Sequence, residues 1–377
     1  MAERRGILRR DFLRLTGTGA AAVLVVPGLS ARSCSGPFTG YGPLLDPNAD
    51  GLRLPAGFSS RIIARSGVAV SGTGHLWHPN PDGGACFARP GGGWVYVSNS
   101  ETGTPNGGVG RIELDAGGAI VGAGSICAGT DRNCAGGATP WGTWLTGEEV
   151  SRGMIWECDP TGVAGAVARP AMGRFTHEAA AVDPTTGIVY LTEDRVDGGL
   201  YRFTPPVAGN LSIGALEVLT EVASTLAWVT VPDPSAATTS CRYQVPGTKV
   251  FNGGEGIAYA TGALHFTTKG DNRVWRYRPV TDALEVLYDA ATNPTPFLTG
   301  VDNITIGAKG DLLVAEDGGD MQIVLITPAG RLSAVVQVSG VAGSEITGPA
   351  FSPAGDRLYF SSQRNPGTTY EVTGPFR

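Results

Sequence analysis

Histidine is scarce in this 377-residue chain: only four are present, at positions 75, 78, 177 and 265. That argues against a histidine-rich zinc or copper centre. Charged residues make up only 16 % of the chain, and no long amphipathic helical pattern appears, which argues against a helical bundle. No Cys-x-x-Cys pair occurs among the six cysteines (34, 86, 127, 134, 158 and 241), too few to make a disulfide framework for a chain this long. Also missing are a Gly-x-Ser-x-Gly elbow, a Walker loop, a His-Glu-x-x-His motif and a convincing dinucleotide fingerprint outside the N-terminal segment. What is abundant is glycine (57) and proline (26), the composition of many short strands joined by tight turns.

Residues 1–31 read as an export signal rather than as part of a fold. Arg9-Arg10-Asp11-Phe12-Leu13 precedes a short apolar run through Val26, then small residues ending near Ala31. This is a Tat-type pattern, and the apolar run is too short to span a bilayer unaided. Cys34 is a poorly flanked lipidation candidate. Export by the Tat machinery to the periplasm or exterior is expected, with no stable membrane association. Without residues 1–31 the chain keeps 23 basic and 32 acidic side chains, a net charge of −9. No basic tract remains, so nucleic acid is not expected as a partner. The balance suits a chain that binds cations.

The main positive signal is an internal repeat. Six segments share a glycine or turn, a short apolar strand and a polar or acidic end: Gly93–Glu101, Gly142–Glu149, Gly187–Asp194, Gly262–Lys269, Gly310–Asp317 and Asp356–Gln363. Their spacing of about 45–50 residues, with one gap of about 75, is the period of propeller blades. A strand and turn precede each copy, and another aromatic strand follows, as in Gly199–Phe203 and Arg273–Tyr277. The expected fold is all-β: a single-domain, six-bladed β-propeller over residues 32–377. The stretch Ala208–Pro246 is an insertion, read as extra strands at the rim.

Hairpin geometry turns the repeat into a site. The start of each blade's first strand and the end of its second lie side by side. Glu178 should then neighbour Glu193 and Asp194, Glu255 face Lys269, Asp302 and Asn303 face Glu316 and Asp317, and Glu345 face Gln363. Cys134 should face Glu148 and Glu149, while Asn99 and Glu101 end the first copy. Taken alone, the stretch from Cys134 to Glu149 is an acidic hairpin tip. As one of six strand ends carrying oxygen ligands to one channel mouth, it is a candidate metal site, because clustered acids oppose folding without cations. The oxygen ligands suit calcium, magnesium or manganese, and a thiolate suits a transition metal such as iron or zinc. His177 is either a ligand, an orienting residue or a hydrogen-bonded neighbour that orders Glu178.

Several stretches together resemble the PhoX-type alkaline phosphatase family: Thr139–Glu149, Gly173–Ala180, Leu191–Arg195, Glu255-Gly-Ile, Ala315–Gly318 and Glu345-Ile-Thr-Gly. They span nearly the whole mature chain in the family's order. The resemblance implies a propeller with a mixed iron–calcium cluster that hydrolyses phosphate monoesters outside the cytoplasm. By position it implies Cys134 and Glu148 as iron ligands and Glu149, Glu193 and Glu255 as further ligands, with Asn99, Glu101 and Asp317 as additional candidates. Glu178, Asp302 and Asn303 join the ligand set from the hairpin argument. One departure matters: the family's phosphate-binding arginine, two residues before the glutamate matching Glu255, is Gly253 here. Lys269 and Arg174 are the candidate replacements. Two other readings fit the repeat: a calcium-dependent, gluconolactonase-like hydrolase holding one calcium through Glu255 and Asn303, and a non-catalytic propeller with structural calcium.

Overall fold

The computed structural model describes residues 38, 40–292, 296–341 and 343–377. The candidate export segment 1–31 and Cys34 lie outside the described residues. The fold is contained in the compact unit Thr39–Arg377, and among its described residues there is no α-helix, only strands and three short 3₁₀ turns.

Six antiparallel sheets form the blades. Their first two strands are Pro81–Ala88 and Trp94–Ser100, Asn133–Ala138 and Trp144–Glu148, His177–Val182 and Val189–Glu193, Gly254–Ala260 and Ala263–Thr268, Val301–Ile306 and Leu312–Glu316, and Ile346–Phe351 and Arg357–Ser362. Each second strand falls within one of the six repeat segments. The first strand of every blade packs against that of the next, and the sixth against the first, so the inner strands close a ring around a channel. The approach is tight enough to require glycine. A Cβ on Gly256 would lie 2.7 Å from the Asn303 Cα, and one on Gly83 would lie 2.5 Å from the Ala135 Cα.

The ring is closed by strand exchange between the two chain ends. Ser59–Arg65 pairs antiparallel with Thr368–Thr373 and so becomes the outer strand of the sixth blade. Leu52–Arg53 likewise adds an outer edge to the fifth blade. Within the insertion, Ala215–Val222 and Thr225–Thr230 are the fourth and fifth strands of the third blade. Apolar clusters fill the spaces between successive blades. Leu145, Leu191, Phe175 and Tyr201 pack between the second and third, and Trp77, Tyr96 and Tyr359 between the sixth and first. This blade-to-blade burial leaves the axis free for polar groups.

Candidate metal centre

Two backbone features aim the ligands. The first is a β-bulge at the start of each inner strand, where the pairing register shifts between Pro81 and Gly84, Asn133 and Gly136, His177 and Ala180, Gly254 and Ile257, and Val301 and Ile304. A bulge re-aims a side chain at the edge of a sheet. The residue just inside each of these five is Asp82, Cys134, Glu178, Glu255 or Asp302. The second feature is alternation at the end of the second strand. Ser100, Glu148, Glu193, Thr268 and Glu316 pair with the inner strand, and the next residue in each case takes the opposite face. Those next residues are Glu101, Glu149, Asp194, Lys269 and Asp317, and all five line one cavity. The sixth blade departs from the pattern. Its bulge falls between Thr347 and Ala350, and it supplies Glu345 and Arg364 instead.

The cavity measures about 200 Å³ and is lined by Asp82, Glu101, Glu149, Glu178, Asp194, Glu255, Asp302, Asp317 and Glu345, by the Cys134 thiol, and by the cations Lys269 and Arg364. Nine carboxylates against two cations cannot all be charged at low cost in a partly dry site. Burial, reinforced by neighbouring acids, pushes Asp82, Glu178 and Glu255 well above the usual carboxylate range. By the same causes Glu149 rises to about 8 and Glu345 to about 9. Asp302 rises only to about 6, because Lys269 offsets part of its burial. Burial likewise keeps the Cys134 thiol protonated, and its Sγ lies 3.3 Å from Glu178 Oε1.

The donor atoms fit metal ions. Four triads each offer ligand atoms within 4.8 Å of one another: Cys134–Glu149–Glu178, Glu178–Glu255–Asp302, Asp302–Asp317–Glu345 and Asp82–Glu101–Glu345. That span is about twice a ~2.4 Å calcium–oxygen bond, and the shared members link the triads into one continuous chain of nine donors. Glu255 is 2 % exposed, and its buried Oε1 already faces one cation, the Lys269 ammonium 3.1 Å away.

Other expected ligands are turned elsewhere. Glu148 accepts from the backbone N–H groups of Asp131 (3.1 Å) and Met154 (3.0 Å). Glu193 accepts from Gly199 N (3.1 Å), from the Tyr201 hydroxyl (2.8 Å) and from Arg242 (2.8 Å). Both lie on the opposite face of the strand from the cavity, where their hydrogen bonds pin loops. Asn99 donates to the carbonyls of Cys134 and Ala135, at 2.9 Å each, and accepts from the Trp144 indole. It positions Cys134 from the neighbouring blade, as Thr192 does for Glu255 and Thr267 for Asp302 through their carbonyls. Asn303 bonds Asp302 Oδ1 and Gly348 N and lines a separate small void in the channel. Arg174 does not line the cavity. The His177 ring packs at a tilt of 33° against Phe175, 3.7 Å between ring centres, and bonds the Gly173 carbonyl, away from the cavity.

Two lining residues had weak local signals. Asp82 is within Pro81-Asp82-Gly83-Gly84, which reads as a turn, and Arg364 follows a repeat copy whose strand end, Ser361-Ser362-Gln363, carries no charge. Gln363 links them, donating to Asp82 Oδ2 (2.6 Å) and Glu101 Oε2 (2.8 Å), while Arg364 pairs with Glu345 and Gln363.

The sequence matches the family described as alkaline phosphatase PhoX over residues 92–293 and 274–367. The chain belongs to that family. It is a phosphatase of the PhoX type, and its propeller superimposes on the vanadate complex of Pseudomonas fluorescens PhoX. The TM-score is 0.74 at 17 % identity, covering 88 % of this chain and 97 % of that one. The fold is shared more distantly with a gluconolactonase from Xanthomonas campestris (TM-score 0.54, 13 % identity, 89 % and 98 % covered). It is also shared with the pyrroloquinoline quinone domain of a pyranose dehydrogenase from Coprinopsis cinerea (0.52, 12 %, 86 % and 98 %). None of the curated proteins is similar in sequence. Within this PhoX chain, Gly253 has φ +67°, donates its N–H to the Arg195 carbonyl and accepts from Lys269 N, both at 2.8 Å. The missing arginine thus coincides with a left-handed backbone that favours glycine.

Proposed function

We propose that this phosphatase hydrolyses phosphate monoesters at a mixed iron–calcium centre in the axial cavity, outside the cytoplasm after Tat export. The observation that carries the reading is the convergence of nine carboxylates and one thiol in a single cavity that also contains two cations. Asp82, Glu101, Glu149, Glu178, Glu255, Asp302, Asp317 and Glu345 would hold the ions through oxygen, and Cys134 would add the thiolate that favours iron over a purely alkaline-earth site. When bound, such ions supply Lewis-acid stabilisation of phosphoryl oxygens and activation of water.

The protein's own groups do the remaining work. Arg364, its side chain 43 % exposed on the cavity wall, offers a planar guanidinium that can bond two phosphoryl oxygens. It takes the part left open by Gly253. Lys269 neutralises the acids of the fourth and fifth blades from within. The leaving alcohol has room in an adjoining cavity lined by Arg132, Ser151, Thr176 and Arg195, which shares Glu149 and Asp194 with the acidic one. A lactonase holding one calcium needs neither Cys134 nor four linked triads.

Protein made through its own export route should contain both iron and calcium and turn over a phosphomonoester. Chelation should abolish turnover, and Cys134→Ser should lose iron while keeping calcium. Protein that binds neither metal, and stays inactive after reconstitution with both, refutes the reading.

A further inference from the structure

The fourth blade breaks the charge pattern of its neighbours. At the first position past the second strand, the first, second, third and fifth blades present Glu101, Glu149, Asp194 and Asp317, and the fourth presents Lys269. The Lys269 ammonium lies between two acids of the chain, with its side chain 36 % exposed. Its Nζ lies 3.1 Å from Glu255 Oε1 and 3.3 Å from Asp317 Oδ2. It therefore bridges the triad Glu178–Glu255–Asp302 to the triad Asp302–Asp317–Glu345. The backbone fixes it there, since Lys269 N donates to the Gly253 carbonyl at 2.8 Å, within the left-handed turn that replaces the family's arginine.

We propose that Lys269 is a resident cation occupying one ion position of the carboxylate chain, so that this protein binds one metal ion fewer than its donor set would otherwise hold. The inference rests on the metal reading above and concerns how that site is filled. An ammonium about 3 Å from two carboxylates of different blades occupies the space and the charge that a divalent ion would take between them, and like charges at that range exclude each other. An ammonium cannot be lost by chelation or dilution. It also presents three donors to oxygen ligands without the six- to eight-fold coordination that calcium requires.

The test is metal stoichiometry rather than turnover. Wild type, Lys269→Met and Lys269→Arg are each saturated with iron and calcium, desalted and measured by elemental analysis, with calcium titration calorimetry alongside. Lys269→Met, which keeps an unbranched stem and removes the charge, should gain one divalent ion per chain. Lys269→Arg should keep the wild-type number. Because the metal-free Met variant loses its internal counter-charge, circular dichroism in chelator and in calcium establishes whether it folds. A variant that folds only in calcium supports the proposal, since the ion then replaces the ammonium. Wild type that holds metal and a Met variant that holds the same number or fewer overturns the role of Lys269 alone. Wild type that holds no metal overturns the metal reading together with it.

Discussion

At the scale of single residues, adjacent acids of the same type have opposite duties. Glu148 and Glu149 differ by one position, hence by one face of the strand. Glu148 satisfies two backbone donors; Glu149 enters the cavity, where burial and the charges of Glu101 and Asp194 raise its pKa to about 8. Glu148→Gln removes one acceptor from a pair of buried N–H groups, so it should cost about 1–3 kcal/mol, roughly 2–4 °C in Tm for a chain of this size. Its metal content should stay at the wild-type level. Glu149→Gln should do the reverse: metal content falls, while the chelated protein melts at the same temperature or higher because one buried acid is gone. Thermal melts in chelator combined with elemental analysis separate the two. A Glu148→Gln protein that folds normally but has lost metal would return Glu148 to the ligand set.

At the scale of the hairpin, the bulge and the strand end act as a unit, and this explains what was legible in advance. The second strands were readable because a glycine, an apolar run and an acidic end recur with a fixed period, and the predicted segments Gly187–Asp194 and Gly310–Asp317 contain the observed strands Val189–Glu193 and Leu312–Glu316. The face each acid takes was not readable, because in a Glu-Glu, Glu-Asp or Glu-Asp-Gly end a shift of one residue exchanges ligand for support. Hence Glu193 was expected in the cavity where Asp194 belongs. Asp82 was hidden because a Pro-Asp-Gly-Gly opening has the chemistry of a turn. The closing strand Ser59–Arg65 finds its partner about 300 residues away, a pairing no local pattern specifies. The same unit yields a prediction at Gly253. Restoring the family's residue as Gly253→Arg places a side chain at φ +67°, with its Cβ 3.3 Å from Gly270 N and 3.4 Å from Asp194 Oδ1. It should therefore lose about 1–2 kcal/mol and lower Tm, rather than improve phosphate affinity. A gain in affinity for inorganic phosphate at unchanged Tm would show that the turn tolerates the arginine and that Arg364 is not its replacement.

At the scale of the whole molecule, stability, protons and metal are linked through the axial cavity. Asp82, Glu149, Glu178, Glu255, Asp302 and Glu345 all have pKa values raised above those of the unfolded chain, first by burial and then by one another. A raised carboxyl pKa means the folded, metal-free protein binds more protons than the unfolded chain between pH ~4 and ~9, so unfolding releases protons and stability falls as pH rises. The contribution is complete below the unfolded values of about 4 and is lost progressively through the folded ones, among them about 6 for Asp302, about 8 for Glu149 and about 9 for Glu345. Metal ions take over from the protons as the acids ionise. The melting temperature in chelator should accordingly drop by on the order of 5–10 °C between pH 5.5 and pH 9, whereas in saturating calcium it should change little, so the difference between the two curves widens with pH. Calorimetry at both pH values with and without chelator measures it. A metal-free protein equally stable at pH 5.5 and pH 9 would mean that the nine carboxylates do not share one dry cavity. The ring of inner strands would then be held by the inter-blade apolar clusters alone, with no contribution from what fills its axis.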